Sequence, residues 1–292
     1  MKAKVYPFYF VGSALALYLL FYVLPSLMGI YYAFTDWNSY STEVNFVGLD
    51  NFKYIFGSGA GQNYLHFIRN TVIFTITTIF LKTTIALGLA LLLTNGIKRL
   101  SYFHRVVMYL PAVLPMLVVS LVFKSILNPA TGLLNTFLRS IGLDFLAQRW
   151  LVDVHFALPS VIAVDTWRGV GYIMVILIAG LMAIPEDYYE AAAIDGASGL
   201  DAFWHITLPL LMPVLTVTTV LNLLYGLKVF DIVFVLTNGG PGRATDTVYT
   251  AIFDEFSKGR YGVATTLSTL LFFIMIILGY FVIRLMHNEA EA

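Results

Sequence analysis

Residues 184–213 read IPEDYYEAAAIDGASGLDAFWHITLPLLMP, a polar, turn-punctuated stretch between two long apolar runs. Pro185 suits the first turn of a helix, where its missing N–H costs nothing. Glu186 and Asp187 follow and complement the positive end of the helix dipole. Tyr188, Ala191, Ala192 and Asp195 then share one helical face, and Gly196 is placed to end the helix in a left-handed cap. Ser198 and Asp201, three apart, have the form of a capping box. They predict a second short helix carrying Phe203, Trp204 and Ile206, after which Pro209 and Pro213 are expected to reset the chain into the next apolar run. The whole reads as a helix–turn–helix outside a bilayer. Ala191, Ala192, Ala193 and Gly196 leave little side chain on its first helix, so a partner groove has room for close backbone approach. An elbow that packs only on its own bundle is the other reading of the same residues.

The runs on either side need a bilayer because the chain is short of charge. Of 292 residues, 59% are hydrophobic and 12% charged, with 17 basic residues balancing 17 acidic ones. A soluble domain carries about twice that share of charge. Disorder is excluded by the same balance, and a nucleic-acid partner is not expected where no basic stripe exists. There is no cysteine, so disulfides, thiolate metal sites and cysteine nucleophiles are excluded.

A spanning helix takes about 20 apolar residues. The first such run lies between Lys4 and Asp36 and reads as a retained helix rather than a signal peptide. Others cover about 70–94, broken only by Lys82, about 106–123, about 156–182 with Asp165 and Arg168, about 210–236 with Lys228 and Asp231 near its end, and 260–284. The expectation is all-α: a six-helix polytopic membrane protein, one domain over 1–292, with helix 1 at about 5–35 and core helices 2–6 at about 68–285. An even count puts both termini on one side. The short turn with Lys98, Arg99 and Arg105 favours the cytoplasmic side, because short loops follow the positive-inside rule best. The segments 36–68, 127–154 and 238–260 read as compact loops or short surface helices.

Within the opening stretch, Glu190-Ala191-Ala192, three residues, Gly196, nine residues, and Ile206-x-Leu208-Pro209 resemble the EAA loop of binding-protein-dependent ABC importer permeases. Further stretches resemble the carbohydrate-uptake branch, similar to the maltose and glycerol-phosphate permeases. These are Pro25–Asn38 (PSLMGIYYAFTDWN), Asn70-Thr71 opening the second helix, Tyr109-Leu110-Pro111, Gly132-Leu133-Leu134-Asn135, Trp167, Ala179-Gly180-Leu181 and Thr237-Asn238-Gly239-Gly240-Pro241. Phe123 departs from the pattern, standing where many relatives carry Trp. The resemblance implies a type I ABC importer permease fold with a cytoplasmic coupling loop at 184–209. It implies an ATPase-docking role for Glu190, Ala191, Ala192, Asp195, Gly196, Ile206, Leu208 and Pro209. The implied assembly holds a second, non-identical permease, two ABC ATPase subunits, an extracytoplasmic solute-binding protein and a carbohydrate substrate. It sits in a bacterial-type cytoplasmic membrane with both termini inside.

No G-x-x-x-x-G-K-[ST] loop occurs and no Lys directly follows a Gly, so the chain lacks the phosphate cradle of an ATPase. No cofactor is expected, and the five histidines show no metal-ligand spacing. Ionisable groups inside spans are costly and face a bundle interior or water. Lys82, Asp165, Arg168, Lys228 and Asp231 are therefore substrate-pathway candidates, with Asn222, Tyr225 and Trp167 added for their depth and chemistry. Asp165 with Arg168, and Lys228 with Asp231, stand three apart, a spacing that allows pairing along their own helices; structural pairing or an interfacial position is the plainer reading of all five. A self-contained secondary transporter is the alternative in another class. It calls for an internal repeat, which the chain does not show. A membrane-embedded enzyme would need a cluster of His, Asp, Ser or Glu at one depth.

Overall fold

The computed structural model describes residues 8–57, 60–96 and 101–290. In chain order the helices are α1 (Phe8–Tyr18), α2 (Leu24–Tyr32), α3 (Asp50–Phe56), α4 (Ala60–Leu91), α5 (Ser101–Val113), α6 (Met116–Ile126) and α7 (Leu133–Ser140). They continue as α8 (Val154–Met182), α9 (Asp187–Ile194), α10 (Gly199–Ala202), α11 (Leu208–Leu227), α12 (Asp231–Leu236), α13 (Val248–Ser257) and α14 (Tyr261–Ala290). Among the described residues the only β pairing is an isolated bridge between Thr35 and Phe46. Five helical stretches are long and apolar enough to cross a membrane, and the bent pair α5–α6 makes a sixth when counted as one span.

Three spans depart from the sequence reading. The third is not one rod: α5 and α6 meet at 93°. Pro115 brings no N–H to the break and disfavours helix at Leu114, so two short helices replace the single one expected over 106–123. The fifth stops at Leu227, and α12 starts afresh at Asp231. Its start is the opposite case. A wide turn over Phe203–Thr207 joins α10 to α11 as one helical run from Gly199. Pro209 lies inside this continuous run and the helix passes through it, so it does not turn the chain. Finally, Asn70-Thr71 does not open the second helix, which begins ten residues earlier. The Asn70 side chain instead donates to the carbonyls of Ala244 (3.0 Å) and Asp246 (2.9 Å), and Thr71 Oγ1 accepts from Val248 N (2.9 Å). This dipeptide ties down residues 244–248, the segment that follows Thr237–Pro241.

The chain divides into two compact units, 1–65 with 251–273, and 66–250 with 274–292. In the first, Trp37 packs between Tyr32 and Tyr261, with ring centroids 4.4 and 4.7 Å away. Asn51 Nδ2 donates to the carbonyls of Ala33 and Thr35, and Thr266 also donates to Ala33. The Asn45 backbone N–H and side-chain amide both donate to Asp36 and hold its carboxyl below the ordinary carboxylate range.

The second unit is built around α8, most of whose apolar side chains are buried. Its first half packs into a cluster with Phe74, Val119, Leu127, Ile232 and Val233. Its second half joins Ala86, Ala90, Leu211 and Leu215. Small residues set the closeness of these contacts. A Cβ on Gly171 would land on the carbonyl oxygen of Met108 and 2.8 Å from Tyr109 Cα, both backbone atoms of α5. A Cβ on Gly180 would meet Leu211 and Val214 of α11 at 2.8 Å. Backbone cannot yield as a side-chain tip does, so Gly171→Ala should destabilise the fold by roughly 1–3 kcal/mol. Gly88→Ala, where nothing lies within 4 Å of the new atom, should be neutral or slightly stabilising. Thermal unfolding of the two purified variants side by side checks this.

Candidate functional site

Two regions gather the residues singled out by sequence. The first is the loop. α9 ends with Gly196 at φ +80°, and Ala197 N closes back on Ala192 O at 2.9 Å. Gly196 is the residue type that takes this conformation without strain. Ser198 and Asp201 form a reciprocal capping box at the start of α10. Tyr189 and Thr207 share a hydroxyl–hydroxyl hydrogen bond of 3.0 Å, which fastens α9 to the start of α11. Around this fastening the loop stands in the open. Glu190, Ala191, Asp195, Gly196 and Pro209 are exposed; Ala192, Ile206 and Leu208 are half-buried. Glu190 also lines a cavity of about 670 Å³ together with Thr94, Met182, Glu186 and Tyr189.

The sequence reading rested on the small residues of α9 and missed its apolar ones. Ile194 is 86% exposed, and Leu200 and Trp204 also project into solvent. The signal was an isoleucine between an alanine run and a glycine cap.

The second region lies among the spans. Lys82 of α4 and Asp165 of α8 form an ion pair at 2.6 Å, and both side chains are almost fully buried. Tyr225 of α11 donates its hydroxyl to the other oxygen of Asp165 at 2.6 Å. The Lys82 ammonium also lies 4.7 Å from the centre of the Tyr225 ring, where the ring face attracts a cation. Gly169 makes room for this arrangement, because a Cβ there would meet Lys82 Cε at 2.6 Å.

The pairing of Asp165 with Arg168 that their spacing allows along α8 is therefore corrected. Asp165 is taken by Lys82, and Arg168 Nε donates to the carbonyl of Leu114 at the α5–α6 break, 3.2 Å away. The Lys228–Asp231 pairing is corrected as well. Lys228 follows the last residue of α11 and Asp231 opens α12, so the two do not share a helix, and both are exposed. Trp167 stands apart too. It makes an edge contact with Phe123 (ring centroids 5.1 Å apart) and lines a separate apolar groove with Leu81, Met108 and Pro111.

Lys82, Arg168, Asn222 and Tyr225 do come together. With Tyr109 and Tyr172 they line a cavity of about 310 Å³. Asn222 is buried there, and its Nδ2 finds no acceptor. Tyr172 was not foreseen, although it lies four residues after Arg168 on the same face of α8.

The family model for "Binding-protein-dependent transport system inner membrane component" matches residues 82–288. The chain belongs to that family and is a membrane-embedded permease of the ABC importer type. It is 35% identical to the probable ABC transporter permease protein YurN of Bacillus subtilis over 277 residues, 94% of each chain. It is 32% identical to the multiple sugar-binding transport system permease protein MsmF of Streptococcus mutans, over 93% of this chain and 91% of that one. The crystal structure of a bacterial ABC transporter involved in the import of the acidic polysaccharide alginate shares the fold. The TM-score is 0.84 at 23% identity, with 96% of this chain and 94% of that one covered.

The Lys82–Asp165 pair makes a sharp energetic expectation. Removing one member of a buried pair leaves the other charge unpaired, at a cost of about 3–5 kcal/mol, whereas replacing both with apolar residues is often near neutral. Lys82→Met should lower the unfolding midpoint strongly, and Lys82→Met with Asp165→Leu should recover most of the loss. A double-mutant cycle on thermal unfolding reads the difference; equal losses for the single and the double variant would contradict the pairing.

Proposed function

We propose that this chain is the translocation subunit of a carbohydrate importer, driven by ATP hydrolysis on partner ATPase subunits that dock on the α9 loop. The exposed side chains of Ile194, Leu200 and Trp204, all on the loop that holds the alanine-rich α9, carry this reading. They give a partner cleft apolar groups to bury beside backbone it can approach closely. The sequence supports the division of labour, since it holds no phosphate-binding loop for ATP. A carbohydrate cargo is supported by the name of the similar Streptococcus mutans protein and by the hydrogen-bonding groups and tyrosine rings of the 310 Å³ cavity.

In this assembly a second, non-identical permease completes the pore and an extracytoplasmic binding protein delivers the sugar. The docking role falls to Glu190, Ala191, Ala192, Asp195, Gly196, Ile206, Leu208 and Pro209, with Ile194 added. The loop is then cytoplasmic, as are both termini. Closure of two ATPases on nucleotide would push the loop, and α8 and α11 would carry the displacement to the cavity, rocking the bundle between inward-open and outward-open states. Lys82, Arg168, Asn222 and Tyr225 belong to the cavity wall in this reading, and Asp165 stands behind it as the partner of Lys82 and Tyr225.

Gly196 gives the test. A Cβ there meets nothing within 4 Å of its own chain, so Gly196→Leu strains one residue by about 1–2 kcal/mol and leaves the bundle intact. The variant should reach the membrane in normal amount and lose ATP-driven uptake in proteoliposomes at least ten-fold. Glu190→Ala should weaken retention of the ATPase on purification. Wild-type coupled uptake by Gly196→Leu would count against docking at this loop.

A further inference from the structure

The polar cavity holds more hydrogen-bond donors than its own acceptors satisfy, and its charges do not cancel. Lys82 is neutralised by Asp165, and the two oxygens of Asp165 are occupied by the ammonium and by the Tyr225 hydroxyl. No ion pair joins Asp165 to Arg168, although the two stand three apart on α8. Arg168 gives its Nε to the Leu114 carbonyl, one donor of the five a guanidinium carries, and it meets no carboxylate among the described residues. Asn222 contributes an unmatched donor, its buried Nδ2. Lys228 and Asp231, at the nearby end of α11 and start of α12, are exposed and opposite in sign, so they leave the balance unchanged. The neighbourhood therefore has one surplus positive charge, on a guanidinium that bonds a single carbonyl, and one buried donor without an acceptor.

We propose that this cavity takes an anionic group, a carboxylate or phosphate ester carried on a hydroxylated ligand, and that Arg168 is the residue that selects for the charge. The proposal rests on the reading of the cavity as part of the substrate path. A neutral sugar presents hydroxyls, which accept hydrogen bonds but carry no charge and leave the guanidinium uncompensated. A carboxylate or phosphate oxygen only accepts, and the planar fork of Arg168 binds such groups through paired N–H donors. Asn222 Nδ2 adds a neutral donor, while the Tyr109 and Tyr172 rings offer faces for the carbon skeleton. The Lys82–Asp165 pair is then a fixed, neutral wall, and Arg168 is the charge free to respond to a ligand.

The experiment uses the assembled transporter, this chain with its partner subunits, in lipid nanodiscs without binding protein. Equilibrium binding is measured for two matched pairs: a uronic-acid disaccharide against its carboxyl-reduced form, and a hexose phosphate against the free hexose. The expected result is at least ten-fold tighter binding of the charged member in one pair, and which pair shows it identifies the anion. Arg168→Gln should remove the preference and Arg168→Lys should retain part of it. Equal binding of charged and neutral members, lost in Asn222→Leu, overturns the charge proposal and leaves the substrate cavity standing. Binding of no probe overturns both. A preference unchanged in Arg168→Gln overturns the role of Arg168. So does loss of the second permease from that variant's purified complex, because the guanidinium would then be pairing across the subunit interface.

Discussion

A lysine and an aspartate that have left water together hold the second unit in register. Lys82 comes from α4 and Asp165 from α8, and the Tyr225 hydroxyl of α11 completes the group. Each ion alone would be prohibitively costly at this depth. Together they offset much of the desolvation, though a buried pair seldom adds net stability over an apolar replacement. Its effect is on geometry. Any slide of α4 along α8 by one residue would carry the ammonium away from its only carboxylate, so the pair fixes one alignment of three helices. Apolar side chains on these helices pack through nondirectional contacts and discriminate far less between neighbouring alignments.

Close packing then turns the aligned helices into a block. Gly171 lets α8 lie against the α5 backbone, and Gly180 lets it lie against Leu211 and Val214 of α11. The loop leaves the C-terminal end of α8 and re-enters as a helical run continuous with α11. Tyr189 bonded to Thr207 closes that path across its width. A displacement applied to α9 has little slack through which to dissipate before it reaches α8 and α11.

The sequence was most legible where local chemistry decides the backbone. The left-handed cap at Gly196 and the Ser198–Asp201 capping box depend only on near neighbours, and both are present. Apolar run length marked the spans for the same reason. It failed at Leu114–Pro115, where the run is unbroken in composition while the backbone turns through 93°. The missing N–H of Pro115 was visible; that Arg168, fifty-four residues later, would donate to the Leu114 carbonyl at the turn was not. Pairing of charges failed likewise. Spacing of three on one helix suggested Asp165 with Arg168, but a desolvated carboxylate takes the cation that tertiary packing delivers, and α4 delivers Lys82. The cavity itself is a tertiary object: its walls come from α4, α5, α8 and α11, and no stretch of sequence contains it.

Where the cavity lies relative to the ends of these helices bears on how it can change shape. Tyr109 and Ala112 approach it from α5 just before the break at Leu114–Pro115, and Asn222 and Tyr225 approach it from the last turns of α11. Both helices thus stop beside the cavity, with non-helical linkers at 114–115 and 228–230. Arg168 lies about 21 Å along α8 from its last residue, Met182, at 1.5 Å per helical residue, so α8 is a long lever joining loop to cavity. A rigid lever moved at one end must be accommodated where the backbone is free to rotate, and the two linkers are such places. Arg168 touches one of them through the Leu114 carbonyl and also lines the cavity. A ligand in the cavity would therefore act on the side chain that also holds the α5–α6 break.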